Sequence, residues 1–340
     1  MMQYILDQFC KLVAIPSPTG YTQDATAYFV GELEKMGYAP KVTRKGCTVV
    51  ELGGEGEPLV LAAHVDTLGA MVCEVKANGR LRVSRIGGMI AGSVDSENCT
   101  VIPRLGEKPV GGTLQMIDPS GHVNPQLSTT LRDFDTLEVV LDEKVKTREE
   151  VLALGIAPGD YVYFEPRTMI TESGYVKSRY LDDKIGMAIL LALAKSVKEG
   201  KTKLGRKVYL FISSYEEIGH GACASIPEDA VDMIAVDMGC VGANLTGSET
   251  VVCICAKDVV GPSDYSLTTE LIRCAKENNI DYAVDVYTNY STDADAALRS
   301  GHDLRHAVMG MGVYASHGYE RTHVDGIRCT IDLLKAYVSK

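Results

Sequence analysis

The chain has 340 residues, 46% of them hydrophobic and 23% charged, enough for a sizeable core in one large domain or two smaller ones. Its 34 Lys and Arg against 45 Asp and Glu leave a formal charge of -11, which disfavours nucleic acid and anionic membranes as partners. No apolar run approaches the roughly 20 residues of a membrane span, and Met1 to Ile15 lacks the basic and apolar regions of a signal peptide. Ten cysteines spread singly, with no Cys-x-x-Cys, suit buried thiols in a reducing cytoplasm rather than a disulfide scaffold.

In chain order, Ile5, Phe9 and Leu12 fall at helical spacing, and the Pro-rich stretch Ile15 to Gly20 ends that helix. A second amphipathic helix is predicted over Asp24 to Tyr38, then short strands over Lys41 to Thr43 and Thr48 to Leu52. Leu59 to Ala63 reads as a buried strand running into His64-Val-Asp66. From Leu68 to about Arg167 the chain turns Gly- and Pro-rich, with short alternating segments such as Met71 to Val75, Thr113 to Ile117 and Leu137 to Leu141. That pattern predicts a small β-rich domain (68–167) inserted into an α/β domain made of 1–67 and 168–340. The βα rhythm then returns. Helices are predicted over Asp182 to Gly200, Ser266 to Asn278, Thr292 to Ser300 and Val324 to Val338. Strands are predicted over Val208 to Ile212, Met233 to Val236, Val251 to Cys255, Ala283 to Tyr287 and Val308 to Tyr314. The expected fold class is therefore α/β, a mixed and mostly parallel sheet sandwiched by helices, with a PDZ- or barrel-like insert.

Ligand-type residues collect where strands end or helices begin: His64 and Asp66, Asp182 and Asp183, Glu216 and Glu217, Asp237, and a late histidine, His317 or His323. In open α/β sheets this is the edge at which ligands bind. Each alone has a bland reading: a structural histidine, a helix-capping Asp182-Asp183 pair, a solvated Glu pair, or a turn aspartate. Together they match what a two-cation hydrolytic centre requires. Two metals about 3.5–4 Å apart need a shared carboxylate, a His and a carboxylate each, and one further carboxylate to carry a proton. His64, Asp182, Glu217, Asp237 and the late His supply five ligands, and Glu216 is left as base. Asp66 is placed to accept the free ring N–H of His64 and fix its tautomer. Mixed His and carboxylate donors suit zinc, with cobalt or manganese as alternatives.

At these residues the sequence resembles the dinuclear zinc aminopeptidases of metallopeptidase family forty-two, over nearly its whole length. Ala62-Ala-His-Val-Asp-Thr-Leu-Gly69 is similar to the family's His-x-Asp motif, Leu181-Asp-Asp-Lys-Ile-Gly186 to its bridging-Asp motif, and Glu216-Glu-Ile-Gly219 to its base-and-ligand pair. Leu154 to Asp160 resembles the stretch closing the inserted domain, and Ser291-Thr-Asp-Ala294 a segment near the substrate, which implies contacts from Thr292 and Asp293. The resemblance implies that Asp182 bridges two metals next to a cis peptide. It further implies that His64 and Asp237 hold one metal, Glu217 and the late His the other, and that Glu216 activates the metal-bridging water. It also implies an insert that mediates dimer contacts, in a homo-oligomer that can reach a dodecamer.

Two departures stand out. The family's Tyr-x-His-Ser-Pro-x-Glu is here Tyr314-Ala-Ser-His317-Gly-Tyr-Glu320, with the histidine one position off register. His317 is preferred to His323 because it directly follows a strand. The loop after the Glu pair is shortened to Gly219-His-Gly-Ala222, so an Arg is missing and His220 occupies the specificity neighbourhood. His122 is read as structural, and His302 and His306 as surface residues. The expected function is a cytoplasmic metallo-aminopeptidase acting on short peptides. The alternatives are a metal-dependent deacylase or carboxypeptidase on a blocked dipeptide, and a non-catalytic assembly subunit of the same fold.

Overall fold

The protein is described from a computed structural model, in which residues 1–106 and 108–340 are placed. The chain divides into two compact units, Met1–Asp66 with Arg167–Lys340, and Thr67–Pro166. The first is built on a nine-stranded mixed sheet. At its centre three parallel strands lie side by side, Val208–Ser213, Leu59–His64 and Asp232–Ala235, followed by Arg305–Val313. These runs are apolar and buried throughout or nearly so, as strands covered on both faces must be. The antiparallel pair Lys41–Val42 and Thr48–Gly53 extends one side, and Val252–Lys257 with Tyr282–Val286 extends the other.

The helix Leu181–Lys198 is buried on nearly every side from Leu181 to Ala194, more than the single apolar stripe of a surface helix. Met2–Val13 and Val324–Val338 pack against it and account for the extra burial. Another face of the sheet uses Val60, Ala62, Phe211 and Met233, which cluster with Ala297 of the helix Asp293–Arg299.

Thr67–Pro166 forms a closed barrel of six strands in the order Gly69–Val75, Leu81–Ile86, Leu137–Leu141, Val110–Met116, Asn98–Ile102 and Tyr161–Phe164. The Asn98–Ile102 strand was not predicted, because its polar start hides the alternation. The sandwiched mixed sheet and the β-rich insert match the expected fold class. No helix among the described residues is long and apolar enough to cross a membrane.

Candidate active site

Register places the chemistry. Ser213 lies opposite His64, and Ala235 opposite Ala62, so the residues after these strands emerge at one edge of the sheet. His64 ends its strand there, Glu216–Ile218 forms a one-turn 3-10 helix just past Ser213, and Asp237 follows Ala235 by two residues. Asp182 and Asp183 precede the regular part of their helix, with non-helical backbone and a cis peptide between them. His317 follows the Arg305–Val313 strand with a left-handed φ of 63°.

His64 Nε2 lies 3.0 Å from Asp182 Oδ1 and 3.8 Å from Glu216 Oε2. His317 Nε2 lies 3.6 Å from Asp182 Oδ2 and 3.5 Å from Glu217 Oε2. The two oxygens of Asp182 thus face two different histidines. The side chains of His64, Asp182 and Glu217 bring ligand atoms together within 4.8 Å, as do those of His64, Asp183 and Asp237. His323 is elsewhere. Its Nε2 meets Ser173 O at 2.8 Å, and its Nδ1 accepts from Asp325 N at the start of the last helix. Of the other histidines, His122 is exposed in a turn of the insert and His302 is half-buried. His306, read as a surface residue, is half-buried in the Arg305–Val313 strand.

Asp66 differs from its predicted role. His64 Nδ1 donates to the backbone carbonyl of Asp66 at 2.9 Å, while the Asp66 carboxylate is 3.8 Å away. A carbonyl can only accept, so it fixes the tautomer and leaves Nε2 free for a cation. The Asp66 carboxylate instead accepts from Glu216 N at 3.1 Å, Glu217 N at 3.2 Å and the Thr19 hydroxyl at 2.7 Å. It therefore pins the Glu pair from beneath. Thr292 and Asp293, read as substrate contacts, also direct their polar atoms inward. Thr292 caps its helix in a capping box with Asp295. Asp293 accepts from Ala222 N at 2.7 Å and from the Ser213 hydroxyl, anchoring the shortened loop. His220 is exposed in that loop and stacks on Tyr215 with centroids 5.2 Å apart.

Sequence reasoning missed two supporting residues, Glu320 and Lys184, and the bond that Asp183 makes. Glu320 is buried and accepts from Asp182 N at 3.1 Å and His317 N at 3.0 Å, tying two site residues from distant elements together. Lys184, fully buried, donates to Ser17 Oγ at 2.6 Å and Val65 O at 2.7 Å, holding the segment between His64 and Asp66. Asp183 accepts from His64 N at 3.2 Å. A Lys inside a motif and a Glu at a motif's end were the available signals.

The electrostatics are those of a site short of positive charge. Burial raises the proton affinity of Glu217 and then Asp182 raises it further; the same two causes push Asp237 up to about 8. Burial, then Asp237, raises Asp183. Glu216 is raised by burial and by Asp293, Asp237 and Glu217, against the pull of His64. Burial also works against ionised Asp182, but His64 and His317 hold it below the usual carboxylate range. One oxygen of Asp183 is buried without a hydrogen-bond partner. No Lys or Arg forms an ion pair with Asp182, Glu216, Glu217 or Asp237 among the described residues. Buried carboxylates lacking a protein cation are costly. Bare imidazole nitrogen with carboxylate oxygen is the donor set of zinc and its neighbours, so these residues fit bound divalent metal.

The chain matches known proteins along most of its length. Residues 46–333 match the family described as M42 glutamyl aminopeptidase. The Bacillus subtilis protein YhfE is 41% identical over 330 residues, covering 96% of this chain and 95% of that one. Among solved structures, aminopeptidase APDkam598 from the archaeon Desulfurococcus kamchatkensis superposes with a TM-score of 0.89 at 20% identity, over 99% of this chain and 95% of that one. The Pyrococcus horikoshii TET1 peptidase, which can assemble into a tetrahedron or a large octahedral shell, superposes at 0.87 and 22% identity over 99% of each chain. The structures establish the fold, and the sequence matches the lineage: this chain belongs to the M42 aminopeptidase family, and is a metal-dependent peptidase.

Proposed function

We propose that this protein removes N-terminal residues from short peptides with two divalent cations, zinc by preference, held at the carboxyl edge of its sheet. The observation that carries the reading is the placement of Asp182, whose oxygens face His64 on one side and His317 on the other. A carboxylate so placed suits a bridge between two cations, with His64 and Asp237 completing one set and Glu217 and His317 the other. Bound there, the metals would polarise the scissile carbonyl and raise the acidity of water.

The remaining work falls to the protein's own groups. Glu216, adjacent to the cluster and with a raised proton affinity, is suited to take a proton on its carboxylate and return it to the leaving amine. Asp66 holds the backbone of both glutamates, so the base and the ligand beside it keep a fixed relation. Asp293 acts through the loop it anchors, and His220 stands at the rim where a substrate side chain would pass. The insert is the surface for a homodimer and larger assemblies. Its exposed Leu105, Val123 and Leu131 support that reading. The free cysteines support residence in the cytoplasm.

The test is Glu216→Gln. After zinc or cobalt loading, the variant is expected to keep two metals per chain by elemental analysis and to lose at least about a thousandfold in kcat against aminoacyl chromogenic substrates, more than the usual loss of a general base alone because the same group serves both proton steps. Loss of metal from the variant, or retained turnover, overturns the assignment.

A further inference from the structure

The loop 213–222 carries Glu216 and Glu217 beyond the strand Val208–Ser213 and doubles back on itself. Tyr215 at φ 69° and Gly219 at φ 83° make its left-handed turns, and Gly219 N and His220 N bond to Glu216 O and Tyr215 O. A tyrosine holds such a φ only where its surroundings impose it. Asp66 and Asp293 supply part of that constraint. Asp66 accepts from the N–H groups of both glutamates at the middle of the loop, and Asp293 joins its ends through the Ser213 hydroxyl and Ala222 N.

Lys45 adds to it from a different part of the chain. It lies in the turn between the first two strands, where Gly46 sits at φ 92°, Gly46 N bonds to Thr43 O at 3.0 Å and Cys47 N to the Thr43 hydroxyl at 3.1 Å. Register brings this turn to the active edge: Thr48 lies opposite Ile212, so the residues just before Thr48 sit level with those just after Ile212. There the Lys45 carbonyl accepts from the Ser214 hydroxyl at 2.8 Å, on the outgoing limb of the loop. Its ammonium crosses to the returning limb, donating to His220 O and, at 2.6 Å, to Gly221 O, with the Tyr215 ring centre 6.0 Å away. One residue thus grips both limbs. Its charge goes to backbone carbonyls, and charge-assisted bonds are about twice as strong as neutral ones.

Asp66 and Asp293 leave the segment 218–221 between them. Two of its four residues are glycine, the type that loses most freedom on folding, and Ile218, Gly219 and His220 are exposed. The Lys45 ammonium meets the last two carbonyls of this segment, with the Cys47 thiol 4.0 Å from the second. A displacement of about 1 Å at a reacting group can cost about a hundredfold in rate. We propose that Lys45 is a positioning residue for peptide hydrolysis, whose ammonium holds the returning limb against the turn 43–47 and thereby keeps Glu216 beside His64 and Asp182. The proposal rests on the reading of Glu216 as the proton carrier. Lys45 acts on the chemistry only through the loop that it holds.

The experiment compares the zinc-loaded wild type with Lys45→Met, which keeps the apolar stem and loses the donors, and with Lys45→Arg, which keeps donors. On an aminoacyl p-nitroanilide that the wild type turns over, Lys45→Met should lower kcat about 10–100-fold with KM within about twofold, and Lys45→Arg should recover most of the loss. Amide exchange over 214–222 should quicken in Lys45→Met while the central strands and the metal content stay as in the wild type, which separates a loosened loop from an unfolded chain. In the Glu216→Gln background the same substitution should cost less than about threefold, because a group that acts by placing Glu216 has nothing left to place. An unchanged kcat in Lys45→Met, a loss confined to KM, a loss that Lys45→Arg does not restore, or the full loss repeated in the Glu216→Gln background overturns the proposal. Turnover of Glu216→Gln alone tests the proton-carrier reading, so the two can fail independently.

Discussion

One strand carries a buried aspartate at its start and another just past its end, and the two are satisfied in opposite ways. Asp232 opens the strand Asp232–Ala235 and is fully buried. Arg206 reaches its Oδ2 at 2.6 Å, and Arg305 meets both oxygens at 2.7 and 2.8 Å. Asp237, beyond the other end, has no such partner and instead faces Asp182 and His64. The sheet is thus able to supply arginines to a buried carboxylate and does so at its amino edge. At the carboxyl edge it gathers acids, and among the described residues no Lys or Arg pairs with Asp182, Glu216, Glu217 or Asp237; the buried Lys184 there bonds to Ser17 and the Val65 carbonyl instead. Folding alone gives no reason for that asymmetry, because an unpaired buried charge is destabilising. A cation arriving from outside does.

The largest test of this contrast is Asp182→Asn. Removing the carboxylate between the two histidines should abolish metal retention and lower kcat/KM by at least about a thousandfold. In the metal-free protein Asp237→Asn should raise the melting temperature, since burial and Asp182 push that carboxyl up to about 8 and the change deletes one of several acids crowded without a cation. A metal-free variant less stable than the metal-free wild type would mean the acids are already neutralised internally. Asp232→Asn should do the reverse. It leaves two guanidinium groups without their shared carboxylate and should cost about 3 kcal/mol in urea unfolding, with kcat and metal content unchanged. Equal losses of activity in Asp182→Asn and Asp232→Asn would erase the distinction between the two edges.

How much of this was legible depended on the range of the interaction. The parallel core strands announced themselves as continuous apolar runs, and the residues at their ends were readable once the strands were placed. His64, Glu216, Glu217 and Asp237 needed only that local inference. The supporting bonds did not follow, because they join residues far apart in sequence through backbone atoms. Asp66 was legible as a polar residue near His64, but whether its carbonyl or its carboxylate would meet the ring depends on the turn geometry of Val65 to Thr67. Thr292 and Asp293 looked available to substrate because motif likeness reports position and not direction. The strand Glu320–His323 was hidden because its four residues carry no apolar alternation and pair with Tyr175–Ser178 across 145 residues or so of chain.

Glu320 sharpens the contrast from a third side. It is a buried acid that answers neither to an arginine nor directly to metal, but to the N–H groups of Asp182 and His317. Through them it sets where two predicted ligands sit, including a histidine displaced from the family's usual register. Glu320→Ala should weaken metal binding by about 10–100-fold, as loss of an outer partner does. Excess metal should restore much of the activity, a rescue that a merely unfolded variant would not show.

The smallest effect separates the two late histidines. His323 uses both ring nitrogens on the protein, donating through Nε2 to Ser173 O and accepting through Nδ1 from Asp325 N. The second bond is a helix N-cap, so His323→Ala should cost about 1 kcal/mol of stability and no metal. His317 has a backbone bond to Glu320, while its ring Nε2 faces Asp182 and Glu217. His317→Ala should therefore leave thermal stability of the metal-free protein nearly unchanged and lower the bound metal from two per chain to one. Were His323→Ala the variant that lost a metal, the ring nitrogens it now gives to Ser173 and Asp325 would have to be released first. That would require the last helix to start in a different place, which a shift in its amide exchange pattern would reveal.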